Sequence, residues 1–337
     1  MTAARRPRAM LAMHAELVHR LITPATMTRI TQLADIDPAL VVEDFRDPSA
    51  AATLGDVEVI FSSWGCPTID SAILDAAPRL RAIVHAAGSV RHHVTDACWD
   101  RGIEVTSAAW ANAIPVAEYT LAAILFSNKQ VLRLSSAYRD RRRGLDWLGV
   151  DAVGNYRRTV GVVGASQIGR RVLALLRPHD FEVLLYDPYV AEAEAAELGV
   201  RSVTLDELCA NSDVVSVHAP ELPETHHLID RRRLGSMRDG AVLINTARGS
   251  LVEQDALVEE LSAGRLQAVI DVTSPNVLPA DSPLYDLPNV LLTPHIAGSL
   301  GNEMHRLADA AADELARYAA GEPFAHPVLR AEFHRTA

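Results

Sequence analysis

The run Thr159-Val160-Gly161-Val162-Val163-Gly164-Ala165-Ser166-Gln167-Ile168-Gly169 decides the fold. Its first half is short, apolar and β-branched, as a buried strand requires. Its second half opens a helical pattern over Ile168–Arg177. Between them stands a dinucleotide fingerprint, in which Gly164 permits a tight turn and Gly169 lets the helix pack on the strand. The middle position, where glycine normally lets the backbone approach a pyrophosphate, is Ser166. Its Cβ crowds the phosphates, and its hydroxyl offers them a hydrogen bond. The next strand, Glu182–Tyr186, ends at Asp187, eighteen residues beyond Gly169. A carboxylate there accepts hydrogen bonds from ribose hydroxyls and repels a 2′-phosphate, which favours NAD over NADP. The plainer role for Asp187 is a helix cap or turn residue.

The same alternation extends in both directions. Downstream come strands at Val214–His218, Ala241–Thr246, Leu266–Val272 and Val290–Thr293, with helices between them such as Asp255–Ser262. Upstream, Val57–Phe61 and Leu80–His85 read as strands around a helix at Asp70–Ala77. Repeated βα units give parallel sheets covered by helices. Pro115 opens a helical pattern through Arg142, with Pro at the first helical position and Glu118 in the first turn. A helix of that length crosses from one domain to the other. The final amphipathic helix covers Glu303–Ala320. The boundaries expected are 1–109 with 300–337 for one domain, and 110–299 for the dinucleotide-binding domain.

Composition narrows the function. The 337 residues are 49% apolar and 22% charged, which excludes a disordered chain and suits two domains. Lys+Arg number 32 against 43 Asp+Glu, a net charge of −11, so no nucleic-acid partner is expected. Lys129 is the only lysine, which argues against Schiff-base chemistry and a phosphate-binding P-loop. Cys66, Cys98 and Cys209 are odd in number and widely spaced, as in a reducing, cytoplasmic setting without zinc knuckles. The Met1–Arg8 segment is basic, but Arg8–His14 holds too short an apolar stretch for a signal peptide. Ala108–Phe126 is the most membrane-like window, yet it contains Asn112, Pro115 and Glu118, so a buried helix is expected and no membrane partner.

Three further strand ends carry chemistry: Val217-His218-Ala219-Pro220, Ile244-Asn245-Thr246-Ala247-Arg248-Gly249-Ser250 and Leu292-Thr293-Pro294-His295-Ile296-Ala297-Gly298. Ligands of doubly wound sheets bind at the carboxyl ends of strands, which would bring Arg248 and His295 to one crevice. Arginine offers a fixed fork to a carboxylate, and histidine exchanges protons near neutral pH. Alone, each reads as structural; downstream of a nucleotide fingerprint, they read as a site. Arg91-His92-His93 and His226-His227 lack further ligands at suitable spacing, so no metal is expected. Trp64 either walls a substrate pocket or belongs to the core.

These motifs together resemble the D-isomer-specific 2-hydroxyacid dehydrogenases, over about Val57 to Glu322. The carriers are the glycine turn with Asp187, Asn245–Gly249, Asp271-Val272, Thr293–Gly298 and Pro115-Val116-Ala117-Glu118. The resemblance implies two Rossmann-like doubly wound parallel sheets, with the cofactor domain inserted into a flavodoxin-like substrate domain. It also implies a homodimer built on the cofactor domains, and hydride transfer between NAD(H) and a small anionic 2-hydroxy or 2-keto acid. A hinge near 108–115 and 297–301 would close the domains. The extra C-terminal regulatory domain of the long phosphoglycerate dehydrogenases is not expected in 337 residues.

By resemblance, Arg248 binds the substrate carboxylate and α-oxygen, and His295 is the acid/base. Gly88, Ser89 and Val90 form the amide loop for the substrate carboxylate. Gly164, Ser166, Gln167, Ile168, Gly169, Asp187, Ala219, Pro220, Thr225, Thr246, Ala247, Asp271 and Gly298 fall at cofactor positions, with Asp271 facing the nicotinamide carboxamide. One departure stands out. The family places a Glu five residues after the aspartate of Asp271-Val272, where it pairs with the histidine; here that residue is Asn276. A carboxylate sustains a protonated imidazole far better than an amide does. Asn276 therefore implies slower catalysis, chemistry needing little proton transfer as in formate dehydrogenases, or an NAD-binding sensor without turnover.

Overall fold

A computed structural model describes residues 6–144 and 153–333, so residues 1–5 of the basic N-terminus lie outside it. The chain divides into two compact units, Met1–Asn112 with Ser299–Ala337, and Ala113–Gly298.

Five parallel strands build the sheet of the first unit: Ala9–Ala12 (β1), Val41–Val42 (β2), Val59–Ser62 (β3), Ala82–His85 (β4) and Glu104–Ser107 (β5). Their order, β2-β1-β3-β4-β5, is the flavodoxin-like winding. β1 comes from the stretch considered above only as a signal-peptide candidate. Its Ala-Met-Leu-Ala sequence lacks the β-branched residues that mark strands, yet it pairs with β2 and β3 and is buried throughout. Leu11, Phe61 and Val84 pack there against Leu307, Ala311 and Leu315 of the helix Glu303–Ala320. Ser299 N donates to Asn112 Oδ1 at 2.9 Å, which ties the returning chain to the departing one.

The second unit holds seven parallel strands: Thr159–Val163 (β6), Glu182–Tyr186 (β7), Arg201–Ser202 (β8), Val214–Val217 (β9), Val242–Asn245 (β10), Gln267–Ile270 (β11) and Val290–Leu292 (β12). The order is β12-β11-β10-β9-β6-β7-β8, so the winding reverses between β6 and β9. This is the Rossmann arrangement, whose ligand crevice lies at that reversal. β6 is buried along its whole length. Gly161 is needed there because a Cβ would lie 2.4 Å from Leu208 and 2.5 Å from Ser212 Oγ.

The long helical pattern from Pro115 to Arg142 needs correction. The helix begins at Ala109, ends at Asn128, and carries Pro115 inside it. Ser107 Oγ accepts from Ala109 N at 3.5 Å, and the Ala-rich turn that follows is helix-favouring enough to start early. A proline there leaves the carbonyl four residues back, Ala111, without its helical donor. Gln130, at φ 49°, breaks the pattern before a second helix, Val131–Arg141.

Candidate active site

The glycine turn leaves β6 beside the end of β9. Gly164 has φ +96°, and a Cβ there would lie 2.7 Å from Ala219 N. A Cβ on Gly169 would fall 2.0 Å from the Gly164 carbonyl oxygen. Neither position tolerates a side chain: Gly164 lets the turn press on the backbone after β9, and Gly169 lets the helix pack on the turn, as a dinucleotide-binding turn requires. Ser166 Oγ accepts from Gly169 N at 3.3 Å and so caps the helix Gln167–Leu176. Gln167 is exposed and Ile168 half-buried. Asp187 closes the turn from the other side: Oδ2 accepts from Ala165 N at 2.7 Å and Oδ1 from Tyr189 N at 2.8 Å. A carboxylate has about four lone-pair sites, so capacity remains for ribose hydroxyls.

The loop after β9 is held by its own side chains. Thr225 Oγ1 accepts from Leu222 N at 2.8 Å and donates to the Pro220 carbonyl at 2.7 Å. His218 lies beneath the glycine turn, 3% exposed, with Nε2 2.8 Å from Ser216 Oγ. Burial pushes its pKa down to about 3, so the ring is neutral.

Arg248, Asp271 and His295 follow neighbouring strands, β10, β11 and β12. Asn245 shapes the Arg248 turn, since Nδ2 donates to the Arg248 carbonyl at 2.8 Å and Oδ1 accepts from Ala247 N at 3.1 Å. Arg248 is half-buried, and its Nη1 donates to the Ala247 carbonyl at 2.7 Å. A Cβ on Gly249 would meet the Thr273 carbonyl carbon at 2.1 Å, so this turn lies directly on the segment leading to Asn276. Thr246 Oγ1 is 3.3 Å from Thr120 Oγ1, both buried.

Asp271 is 2% exposed and braces the His295 turn. Oδ1 accepts from Thr293 Oγ1 at 2.6 Å and Ile296 N at 2.8 Å; Oδ2 accepts from Ala297 N at 2.9 Å. His295 N donates to the Asp271 carbonyl at 2.9 Å. His295 itself has φ 57° and an exposed side chain, with Gly298 half-buried beyond it. Asn276 is exposed. Neither its side chain nor the His295 ring makes a hydrogen bond among the described residues. Sequence reasoning missed Tyr119, whose hydroxyl lies 2.9 Å from Thr293 Oγ1 and extends the brace. A tyrosine inside an apolar helix gives no signal of such a role.

In the first unit, Gly88 and Ser89 are half-buried and Val90 is 2% exposed. The backbone N–H groups of these three residues have no acceptor among the described residues. Successive unpaired amides form a concavity suited to an anion. Trp64, beyond the end of β3, is 39% exposed and therefore not a core side chain. His92 is exposed and His93 buried, so the adjacent pair does not act together.

A doubly wound sheet with a bare glycine turn and a carboxylate closing it defines a dinucleotide-binding α/β protein. Residues 121–297 match the model of the D-isomer specific 2-hydroxyacid dehydrogenase, NAD binding domain. The chain is 32% identical over 307 residues to D-3-phosphoglycerate dehydrogenase of Mycobacterium tuberculosis, covering 85% of this chain and 57% of that one. It thus spans little more than half the length of that relative. It is 34% identical over 299 residues to glyoxylate/hydroxypyruvate reductase B of Pectobacterium atrosepticum, covering 87% and 89%. A D-lactate dehydrogenase from Aquifex aeolicus, solved with NAD and lactic acid, superposes with a TM-score of 0.70 at 27% identity, covering 93% and 96%. The chain belongs to the D-isomer-specific 2-hydroxyacid dehydrogenase family and carries its NAD-binding domain.

Proposed function

We propose that the protein is an NAD(H)-dependent oxidoreductase that interconverts a small D-2-hydroxy acid and the matching 2-keto acid. The observation that carries this reading is the clustering at one sheet edge. Arg248, the Asp271-braced His295 turn, the Gly164 turn and Asp187 all follow strands of the same seven-stranded sheet at their carboxyl ends.

Bound nicotinamide supplies or accepts the hydride. Arg248 binds the substrate carboxylate and α-oxygen through its planar fork. His295 donates a proton to the developing alkoxide in reduction and takes it back in oxidation. The amides of Gly88, Ser89 and Val90 hold the carboxylate, with Trp64 beside them. Asp187 takes the ribose hydroxyls, and Gln167, Ile168, Ala219, Pro220, Thr225, Thr246, Ala247, Asp271 and Gly298 complete the cofactor contacts.

NADH oxidation against glyoxylate, hydroxypyruvate, pyruvate and longer keto acids tests this. Turnover with at least one is expected, with the D-isomer formed wherever the product is chiral. The exposed Asn276, whose side chain makes no hydrogen bond among the described residues, favours a second reading, an NAD-binding protein with weak or no turnover. Calorimetric NAD binding without NADH oxidation across the panel would establish that reading. Turnover with formate alone would point to formate-dehydrogenase-like chemistry.

The proposed assembly is a homodimer through the NAD-binding unit. Exposed Phe126, Leu132 and Tyr138 support it, because such apolar side chains gain from a second copy. Light scattering on the purified protein measures it. The free, buried thiols of Cys66, Cys98 and Cys209 support a reducing cytoplasmic setting.

A further inference from the structure

The sheet of the first unit has its own reversal. Its order, β2-β1-β3-β4-β5, turns back between β1 and β3, and ligands of such sheets bind outside the carboxyl ends of the strands at that point. Ala12, Ser62 and His85 are register partners across β1, β3 and β4, and the three strands end on them. One residue further on, Ser63 N donates to the Ala12 carbonyl at 3.2 Å, and Ser63 Oγ donates to the Ala86 carbonyl at 3.2 Å. The turn after β3 is thereby fixed between the turn after β1 and the 88–90 loop that follows β4.

Cys66 N closes that turn on the Ser63 carbonyl at 3.1 Å, with Trp64 and Gly65 at its tip. Gly65 has φ +84°, which this turn requires. A Cβ there would fall 2.4 Å from His14 Cγ and 2.6 Å from His14 Nδ1, so the imidazole lies against the bare Gly65 backbone. His14 N donates to the Trp64 carbonyl at 2.9 Å. Glu43, just beyond β2, holds the ring in place: its Oε1 is 3.2 Å from His14 Nδ1 and accepts from Ala15 N at 3.2 Å. Trp64, 39% exposed, and the exposed His14 thus put two aromatic rings at the reversal. The turns 14–16, 43–46 and 63–67 carry three carboxylates, Glu16, Glu43 and Asp44, against one arginine, Arg46. Arg91, after the 88–90 loop, donates its Nε to the Phe333 carbonyl at 3.3 Å.

We propose that Trp64 and His14, the latter set by Glu43 and Gly65, form the subsite for the substrate side chain, and that this subsite takes an uncharged aromatic group. This rests on the proposed role of the 88–90 loop in holding the substrate carboxylate. Neighbouring strands lie about 4.8 Å apart, so Trp64 stands about one spacing, and His14 about two, across from that loop. The methyl group of pyruvate stops short of both rings, whereas a benzyl group extends past the first toward the second. Aromatic rings in contact gain more than their buried area alone supplies. The surplus of carboxylates disfavours a phosphoryl or second carboxyl group, which would need a cation opposite it.

Steady-state reduction of phenylpyruvate, pyruvate, glyoxylate and 2-oxoglutarate by the full chain with NADH tests the subsite. The wild type is expected to favour phenylpyruvate in kcat/KM by about tenfold or more over each of the others. Trp64→Ala and His14→Ala are each expected to lower the phenylpyruvate-to-pyruvate ratio of kcat/KM about tenfold, mainly through the phenylpyruvate KM, and Trp64→Phe to restore most of it. Both side chains are exposed, so their truncation leaves the core intact, and a general loss of active protein lowers both substrates alike without moving the ratio. A preference for pyruvate, glyoxylate or 2-oxoglutarate, or a ratio that neither alanine variant moves, overturns the proposal. Should the wild type reduce no keto acid at all, the functional reading fails separately, and calorimetry of phenylpyruvate with NADH present reads the subsite directly. Binding weakened about tenfold by Trp64→Ala supports it. No binding, or binding that the substitution does not move, overturns it.

Discussion

Asp187 serves two partners with one carboxylate. It holds the Ala165 amide of the glycine turn at 2.7 Å and is proposed to hold the cofactor ribose. Asp187→Ser removes the charge and keeps a short acceptor. A charge-assisted hydrogen bond is worth about 1.5–3 kcal/mol, so NADH affinity is expected to fall roughly tenfold to a hundredfold. Loss of repulsion toward a 2′-phosphate should raise affinity for NADPH. Titrating the wild type and the variant with both cofactors checks the direction of each change. Asn276 poses a different residue-scale question. Keto-acid reduction needs a protonated imidazole, and a carboxylate sustains it to higher pH than an amide. Asn276→Glu is expected to extend reduction toward higher pH. Superimposable pH–rate profiles would show that residue 276 does not reach the His295 ring.

At the level of elements, six strands of the second unit were legible because they are apolar runs closed by glycine, proline or a charged residue, whereas β8 was not, because it is only the exposed pair Arg201–Ser202 at the sheet edge. β6 and β7 fall where the pattern puts them, at Thr159–Val163 and Glu182–Tyr186. β1 was not legible, because Ala-Met-Leu-Ala has helix-favouring composition and becomes a strand only by pairing with β2 and β3. The helix start at Ala109 was missed for a related reason, since proline is read as a beginning and the chain here tolerates it inside. The residues at strand ends were legible as chemistry. Their braces were not, because Tyr119 meets Thr293, and His14 meets the Trp64 turn, only through packing and register. The Asp271 brace carries an element-scale prediction. It satisfies two backbone amides and a hydroxyl, and it holds His295 at a left-handed φ of 57°. Asp271→Ala strands those donors in a buried place, at about 1–3 kcal/mol each before relaxation. A lower melting temperature for the second unit and a fall in kcat are expected together. Retained stability with full activity would show the turn to be self-supporting.

At the scale of the whole molecule, three histidines among the described residues are buried neutral, His85 and His93 in the first unit and His218 in the second. Burial depresses all three, His93 to about 4, His218 to about 3, and His85 well below its ordinary value. In the unfolded chain each returns to about 6.5. Below that pH the unfolded chain binds protons that the folded chain refuses. Stability is therefore whole above about pH 6.5 and falls as the pH drops toward the folded values. Each histidine removes about 1.4 kcal/mol per pH unit in that window. At about pH 5 His93 removes about 2 kcal/mol from the first unit and His218 about 2 from the second, against a typical domain stability of roughly 5–15 kcal/mol, and the depressed His85 adds to the loss in the first unit. The urea midpoint of the first unit is expected to fall further than that of the second as the pH drops from 7 to about 5. Three of the four tryptophans, Trp64, Trp99 and Trp110, belong to it, so fluorescence follows its transition. His218→Gln should flatten the pH dependence of the second unit and leave that of the first intact. A urea midpoint for the first unit that does not move between pH 7 and about pH 5 would mean that its histidines take up protons while still folded.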